Sequence, residues 1–207
     1  MSLTFYHSGG LSCAVATHIA LEEAGADYKS VRLDLTAGDQ RKPEYLKINP
    51  KGRVPTLVTD KGILTETVAL LLYIAQTHPR AKLAPSDPFE LAKMQAFNAY
   101  MASTVHVNHA HGFRGYRWSD DAAAQESMKK KVAQNMTDCA AIIENDYFEG
   151  PWVLGKQFTV SDPYLYIIST WMPGDGVDMS KFPKISAHKA AMDERPAVQK
   201  VMANYPR

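Results

Sequence analysis

Alternation of hydrophobic and polar positions predicts strands near the start of the chain. Residues 3–6 (Leu-Thr-Phe-Tyr) and residues 29–33 (Lys-Ser-Val-Arg-Leu) alternate and contain β-prone side chains. Between them, residues 14–24 are rich in alanine, leucine and glutamate, and they are followed by Gly25, a residue that commonly caps a helix C-terminus. A strand, a helix and a strand in this order predict a parallel pair joined by a right-handed crossover.

The next segment predicts a hairpin followed by a helix. Residues 56–59 (Thr-Leu-Val-Thr) are β-prone, and residues 60–62 (Asp-Lys-Gly) are typical of a hairpin turn. An apolar run at residues 68–74 has the character of a buried helix. Strand-helix-strand followed by strand-strand-helix is the order of a thioredoxin-like α/β domain, which we expect to span residues 1–80.

Helical periodicity dominates the rest of the chain. Residues 84–88 (Ala-Pro-Ser-Asp-Pro) are typical of a linker. Beyond it, apolar residues recur at helical spacing, first after Phe89 and again between residues 120 and 147. Residues 159–162 (Thr-Val-Ser-Asp) form a variant capping box in front of another apolar helix. The pattern therefore predicts an all-helical domain over residues 88–207.

Composition and charge indicate a folded protein outside the nucleic-acid and membrane classes. Of 207 residues, 45% are hydrophobic and 22% charged, with a formal net charge of +1. No apolar run is long enough to span a bilayer, and the first residues lack the pattern of a secretory signal. The two cysteines, Cys13 and Cys139, lie far apart and suggest no disulfide framework. We therefore expect a cytoplasmic location.

A peptide-binding arrangement is predicted between residues 49 and 67. Val54 and Pro55 precede a strand, and only X-Pro bonds have an appreciable cis population. Glu66 and Thr67 open the apolar helix, whose free N–H groups suit a carboxylate. An extended backbone facing an anion-binding helix start can bind a peptide, although a hairpin leading into an ordinary capped helix explains the same residues.

Ser12 and Cys13 are the candidates for catalysis. They lie between the Gly9-Gly10 turn and the first predicted helix. A helix N-terminus lowers the pKa of a thiol and stabilises the thiolate. The alternative is a small thiol that packs the helix, because free cysteines are commonly buried.

The stretch from residue 49 to residue 67 resembles the glutathione-binding half of the glutathione S-transferases. Their pattern is Val-Pro with a cis proline, followed by Glu or Gln and then Ser or Thr at a helix start. The resemblance extends along most of the chain and is closest to the bacterial beta class. It implies a homodimeric cytoplasmic enzyme, which uses glutathione as co-substrate and joins its thiolate to a hydrophobic electrophile.

The resemblance also implies roles for individual residues. When the sequence is aligned backwards from His18, Cys13 takes the place of the beta-class cysteine. When it is aligned forwards from Tyr6, the loop between the first strand and the first helix is longer than the family's loop. Cys13, Ser12 and Tyr6 therefore all stay candidates for contact with the sulfur of glutathione. The beta class carries a histidine in the context Ala-Ser-x-Val-His, which residues 102–106 match. That match implies site roles for Ser103, Thr104 and His106.

Further roles concern the two substrates. Val54 would pair with the tripeptide backbone beside Pro55, and Glu66 and Thr67 would hold its γ-glutamyl end. A family lysine has no counterpart at its own position, and Arg41, Lys42 or Lys51 are candidates to replace it. Aromatic residues are expected to wall the electrophile pocket, the alternative being that they pack between helices: Tyr6, Phe113, Tyr116, Trp118 and Trp171.

Several alternatives stay open. His106, His109 and His111 lie at spacings that can share a metal ion, but no carboxylate or cysteine joins them in sequence, so we expect no metal. Basic residues interleave the aromatic ones near Phe113, a pattern also found in nucleic-acid binders, but the neutral overall charge argues against that partner. The alternative activities are thiol-disulfide exchange, ether cleavage or isomerisation, the exchange proceeding through Cys13. A non-enzymatic binding or regulatory module on the same fold is the alternative of another class.

Overall fold

A computed structural model describes residues 3–205. Its sheet has four strands in the order β2-β1-β3-β4, with bounds β1 (Leu3–Ser8), β2 (Tyr28–Leu33), β3 (Thr56–Thr59) and β4 (Gly62–Thr65). β1 runs parallel to β2, with Leu3 opposite Tyr28, and antiparallel to β3, with Tyr6 opposite Thr56. β3 and β4 form the predicted hairpin. The predicted thioredoxin-like order and the parallel first pair are confirmed.

Three helices accompany the sheet: α1 (Ala14–Glu23), α2 (Pro43–Leu46) and α3 (Thr67–Thr77). Every residue of α1 from Ala14 to Leu21 is buried. Such all-round burial follows from its position, because α1 contacts β1, α3 and two later helices. α1 therefore connects the sheet to the helical half of the molecule.

The rest of the described chain is mainly helical, as predicted, with short one-turn 3-10 segments between the longer elements and two isolated β-bridges, Trp152 with Gly155 and Leu154 with Gln157. Two π-helical turns, Met101–Val105 and Ile143–Tyr147, follow directly on long α-helices. The remaining helices are α4 (Pro88–Tyr100), α5 (His106–His111), α6 (Ala122–Ile142), α7 (Ser161–Trp171), α8 (Pro183–Asp193) and α9 (Pro196–Met202). Among residues 3–205, no helix combines the length and the apolar character needed to cross a membrane.

The predicted capping box forms at the start of α7. The Thr159 N–H donates to Asp162 Oδ2 at 2.7 Å, and the Ser161 N–H donates to Thr159 Oγ1 at 3.3 Å. Asp162 has two further partners, the Val153 N–H at 2.9 Å and His188 Nε2 at 3.1 Å. The box thus ties the loop before α7 and helix α8 to the same buried carboxylate.

Specific contacts join the sheet-containing half to the helical half. The Trp171 indole N–H donates to the Leu11 carbonyl at 2.8 Å. Arg195, just before α9, makes two hydrogen bonds to the Glu23 carboxylate, at 2.6 and 2.8 Å. One hydrophobic core runs through both halves, so the space left between them is a cleft with firm walls.

Candidate functional site

A cleft of about 640 Å³ lies between the two halves. Its lining includes most of the residues that the sequence singled out: Ser12, Cys13, Lys51, Val54, Pro55, Glu66, Thr67, His106 and Tyr116. These residues come from the α1 start, the turn before β3, the α3 start and the segment after the first π-helical turn. The fold therefore brings together positions that are up to half the chain apart.

Glu66 forms the most unusual backbone feature of this cleft. It lies between β4 and α3 with φ 73° and ψ 121°, a region that residues other than glycine rarely adopt. Its carboxylate pairs with Lys51 Nζ, which also donates to Thr65 Oγ1 at 2.6 Å. Both side chains are well exposed, at 44% for Lys51 and 69% for Glu66. An ion pair this exposed is weak, so both charges can turn to a ligand.

The turn before β3 is held rigidly. The peptide bond between Val54 and Pro55 is cis. The Arg53 carbonyl accepts hydrogen bonds from the Tyr45 hydroxyl at 2.6 Å and from Asn49 Nδ2 at 2.8 Å. The Val54 carbonyl accepts only a long contact from Cys13 Sγ at 4.0 Å, and the Val54 N–H has no partner among residues 3–205. Val54 thus presents a free edge of backbone to the cleft.

Gly52 is required in this turn. Its φ is 58°, and a Cβ atom there would lie 2.9 Å from the Gln40 carbonyl oxygen. Asn49 and Tyr45, which anchor the same turn, were not among the predicted site residues. The sequence indicated Asn49 only through the turn-forming Asn-Pro pair at residues 49–50.

Cys13 is the N-cap residue of α1 and is only 9% exposed. Burial raises the pKa of its thiol, while Thr67 and the Arg114 guanidinium act in the opposite direction without reversing the shift. The thiol is therefore protonated at neutral pH, and it can donate a hydrogen bond. Ser12 beside it is hydrogen-bonded through its Oγ to Ser8 Oγ at 2.8 Å.

His106 lies on the helical side of the cleft, directly after the first π-helical turn. Burial lowers its pKa to about 4, with further lowering from His109 and Arg114. The imidazole is therefore neutral at pH 7. Behind it, the Trp171 ring lies 5.0 Å from His106 and stacks on His109 at 4.4 Å, and His109 pairs with Asp175 at 2.7 Å.

Two predicted residues on the first π-helical turn lie outside the cleft lining. Ser103 is exposed and Thr104 is half-buried. In a regular α-helix, Ser103 and His106 would share a face, since they are three residues apart. The π-helical turn of residues 101–105 changes that phase, so His106 faces the cleft while Ser103 faces solvent.

Three predicted aromatic residues also lie outside the lining of the cleft. Tyr6 packs on Tyr45, with ring centroids 5.6 Å apart. Trp171 is buried behind His106. Phe113 is 55% exposed, with the Arg114 guanidinium 4.7 Å above its ring. Among the predicted residues, the expected aromatic wall is therefore reduced to Tyr116 and Trp118.

Other residues that the sequence did not assign to the site line the cleft. Arg53, Arg114 and Arg117 belong to its lining, as does Tyr164 from α7, which is almost fully buried. Burial raises the pKa of Tyr164 well above its ordinary value, so its hydroxyl remains a donor. Arg114 and Arg117 were visible in the sequence only as charges interleaved with aromatic residues.

The three clustered histidines have different surroundings. His106 lines the cleft, His109 pairs with Asp175, and the His111 ring lies 4.4 Å from the Trp118 ring. In the described part of the chain, no group of three or more His, Cys, Asp or Glu side chains could hold a metal ion.

Comparisons with known proteins agree with this architecture. Residues 1–76 match the family model of the glutathione S-transferase N-terminal domain, and residues 108–204 match that of a glutathione S-transferase C-terminal domain. Among curated proteins, the glutathione S-transferase GstA of Escherichia coli O157:H7 is 30% identical over 96% of each chain. A maleylacetoacetate isomerase of Pseudomonas aeruginosa is 27% identical over 95% of each chain.

Solved structures extend these similarities. A glutathione transferase homologue from Sulfitobacter with bound glutathione is 44% identical, with a TM-score of 0.94 and coverage of 98% of this chain and 97% of that one. A beta-class glutathione S-transferase from Sphingomonas chungbukensis is 30% identical, with a TM-score of 0.82 and 97% of each chain covered. The resemblance to the beta class is therefore confirmed at the level of fold and sequence.

Proposed function

Since the chain belongs to the glutathione S-transferase family, a family of enzymes, we propose that it binds glutathione in the cleft and joins the glutathione sulfur to an electrophilic small molecule. The proposal is supported by the fact that groups able to bind a peptide and groups able to stabilise a thiolate lie together in the cleft. The free backbone edge of Val54 and the start of α3 lie in one cleft with Ser12 and Cys13. This arrangement can hold an extended peptide and place its thiol beside hydrogen-bond donors.

The tripeptide would lie along the turn before β3. Its backbone would pair with the free N–H and carbonyl of Val54, and its γ-glutamyl carboxylate would receive the N–H groups at the start of α3. Glu66 would bind the γ-glutamyl ammonium group, and Lys51 or Arg41 would bind the glycyl carboxylate. Each contact uses a group that is at the cleft surface and only weakly engaged in the free protein.

The residues at the α1 start would stabilise the sulfur as a thiolate. Ser12 and the protonated Cys13 thiol are donors at a helix N-terminus, and hydrogen bonds to the charged form lower the pKa of a bound thiol. His106 is neutral and would contribute a ring N–H rather than a positive charge. The thiolate then forms a C–S bond with the electrophile, and the electron pair leaves with a departing anion or moves into a conjugated carbonyl.

Cys13 distinguishes conjugation from thiol-disulfide exchange. Exchange needs the Cys13 thiolate as nucleophile, and the raised pKa of this thiol disfavours it. Ether cleavage needs a nucleophilic thiolate as well, and glutathione can supply it. The geometry therefore favours glutathione as the nucleophile and Cys13 as a hydrogen-bond donor.

Isomerisation is a second candidate, because several of the similar curated proteins are named isomerases. It would begin with the same addition of the thiolate to a conjugated double bond. Rotation in the adduct and loss of the thiolate would then restore the double bond with changed geometry and regenerate glutathione. Product analysis separates the two activities, since conjugation consumes glutathione and isomerisation does not.

The test combines binding to immobilised glutathione with conjugation and thiol-transfer assays on wild type, Cys13→Ala, Ser12→Ala and the double variant. We expect conjugation to persist in Cys13→Ala and to be lost when Ser12 is also replaced. Complete loss of conjugation in a folded Cys13→Ala protein that still binds glutathione would contradict this assignment, as would a mixed disulfide on Cys13 during turnover, found by mass spectrometry.

Glutathione binding without any turnover would favour the non-enzymatic alternative, in which the fold serves as a binding or regulatory module. The homodimer and the cytoplasmic location expected from the resemblance and the composition stay predictions.

A further inference from the structure

The cleft carries more positive charge than glutathione requires. Among the described residues, its lining has one carboxylate, Glu66, against five cationic side chains, which leaves a net charge of +4: the cations are Arg41, Lys51, Arg53, Arg114 and Arg117. The whole chain has a net charge of +1, so the cleft concentrates positive charge. Glutathione bound as a thiolate has two carboxylates, one ammonium group and the sulfur anion, a net charge of about −2. It therefore neutralises only part of the excess.

Most of the surplus lies on the helical side of the cleft. Arg41 and Lys51 come from the sheet-containing half, where Lys51 pairs with Glu66 just before α3. These two cations suffice for the glycyl carboxylate of glutathione. Arg114 and Arg117 come from the segment between α5 and α6, and Arg53 precedes the free backbone edge of Val54. All three arginines line the cleft and lower the pKa of His106, so the unneeded cations lie near the place where a second substrate would meet the sulfur.

Arg114 is half-buried and has no counter-ion in the described part of the chain. Within residues 3–205, no carboxylate lies at ion-pair distance from Arg114, Arg117 or Arg53, and none of their guanidinium groups makes a hydrogen bond. Arg195, which is also partly buried, has the opposite environment, because it makes two hydrogen bonds to Glu23. A desolvated cation without a partner is unfavourable, so an anionic ligand would stabilise Arg114.

Arg114 also lies near the reacting position, because it lines the same cleft as Cys13 and His106. Its guanidinium lowers the pKa of Cys13, against the larger effect of burial, and it lowers the pKa of His106 in the same direction as burial. It stacks above the Phe113 ring at 4.7 Å, which restricts its movement. Tyr116 and Trp118 line the cleft next to it, and their rings suit a flat, conjugated group.

We propose that Arg114, with Arg117 and Arg53 beside it, binds a carboxylate of the electrophile, so that the second substrate is an organic acid with a conjugated or otherwise activated carbon. This inference rests on the proposed function and replaces the purely hydrophobic electrophile that the resemblance implies. Guanidinium binds carboxylate in a bidentate geometry, which would also fix the orientation of the reacting carbon. A second tripeptide, in glutathione disulfide, could bring a carboxylate to the same place, so it is a separate arm of the test.

The test measures binding of glutathione conjugates that differ only in charge. Calorimetry gives the Kd of each ligand in two matched pairs, in which a carboxylate is compared with its amide. The first pair is S-(carboxymethyl)glutathione and S-(carbamoylmethyl)glutathione, and the second is S-(4-carboxybenzyl)glutathione and S-(4-carbamoylbenzyl)glutathione. Glutathione disulfide is measured as a separate ligand. The proteins are wild type, Arg114→Gln, Arg117→Gln and Arg80→Gln; Arg80 is exposed and lies outside the cleft lining. Thermal unfolding of each variant verifies that it is folded.

In wild type, we expect the carboxylate to bind about 10-fold to 100-fold more tightly than its amide in at least one pair, the range of a charge-assisted hydrogen bond. Arg114→Gln should reduce that preference to about 3-fold or less, Arg117→Gln should reduce it partly, and Arg80→Gln should retain it. The proposal also requires that Arg114→Gln raises the Kd of the amide conjugate much less than the Kd of the carboxylate conjugate.

Three results would overturn the proposal while leaving glutathione binding intact. The first is that wild type binds the carboxylate and the amide with equal affinity in both pairs. An equal loss for both members in Arg114→Gln is the second, because Arg114 would then hold glutathione itself. Dependence on Arg114 for glutathione disulfide alone is the third, and it would assign the position to a second tripeptide. If no conjugate binds to wild type, the proposed function fails together with the subsite.

Discussion

At the scale of single residues, Glu66 combines a strained backbone with an exposed charge. A residue other than glycine at φ 73° costs about 1–3 kcal/mol and persists when its surroundings hold it there. Here β4 precedes it and α3 follows it directly. The conformation directs the carboxylate toward Lys51 at the cleft surface. Stability alone would favour glycine at this position, so the presence of Glu66 indicates that its side chain is used.

Replacing Glu66 with glycine should therefore separate stability from binding. We expect Glu66→Gly to raise the free energy of unfolding by about 1 kcal/mol through relief of strain, and to weaken glutathione binding about 10-fold or more through loss of a charged contact. Urea unfolding and calorimetry measure the two effects. Lys82→Gly is the matched control, because Lys82 is the other described non-glycine residue with positive φ, at 53°, and it lies outside the cleft lining. A fully retained glutathione affinity in Glu66→Gly would remove Glu66 from the site.

At the scale of elements, the start of α7 determines how the helical half is assembled. The Asp162 carboxylate is completely buried and binds two backbone N–H groups, from Val153 and Thr159, as well as His188 Nε2. Buried charges are stable only when such partners are present. The carboxylate thus fixes the relative position of α7, α8 and the loop before α7, and α7 in turn supplies Tyr164 and Trp171 to the cleft and its support.

Asp162→Ala should destabilise the protein by about 3–5 kcal/mol, because it leaves buried donors without an acceptor. Asp87→Ala is the control. Asp87 is an exposed N-cap that accepts hydrogen bonds from the Phe89 and Glu90 N–H groups, and its loss should cost only about 1 kcal/mol. Chemical denaturation monitored by circular dichroism compares the two variants. Equal costs would mean that Asp162 acts merely as a helix cap.

At the scale of the whole molecule, a buried polar cluster joins the first strand, the first helix and the last described residue. The Tyr205 hydroxyl lies 2.8 Å from His7 Nδ1 and 2.9 Å from His18 Nδ1, and His7 Nε2 is 2.8 Å from Ser30 Oγ. Burial lowers the pKa of both histidines, that of His18 to about 4. Both rings are therefore neutral near pH 7, with Tyr205 between them.

This cluster predicts a loss of stability in mild acid. A histidine with a lowered folded-state pKa binds fewer protons than in the unfolded chain, so its contribution is complete above the ordinary value of 6.5 and is lost as the pH falls toward about 4. The free energy of unfolding should decrease between pH 6.5 and 4.5 in urea titrations. For His18→Gln, the free energy of unfolding should change less with pH in this range, although the variant is less stable at pH 7. His111→Gln should retain the wild-type slope, and a His18→Gln slope as steep as that of wild type would contradict the assignment.

The sequence by itself determined the elements, their order and the first contacts of the site. Periodicity of two and of 3.6 residues, turn residues and caps act within a few positions, which is why the parallel first pair, the hairpin and the capping box at Asp162 were predictable. The same local logic placed Glu66 and Thr67 at a helix start and Cys13 at another.

Only the tertiary structure decided which side chains face the cleft. A single π-helical turn separates Ser103 from His106, and hydrophobic periodicity does not report it. Tyr6 packs against Tyr45 and Trp171 packs against His106, so neither ring lines the cleft. Arg53 and Arg114 lie in different halves of the chain and meet because both halves share one core. Such convergence depends on long-range packing, since no local pattern specifies the distance between two surfaces.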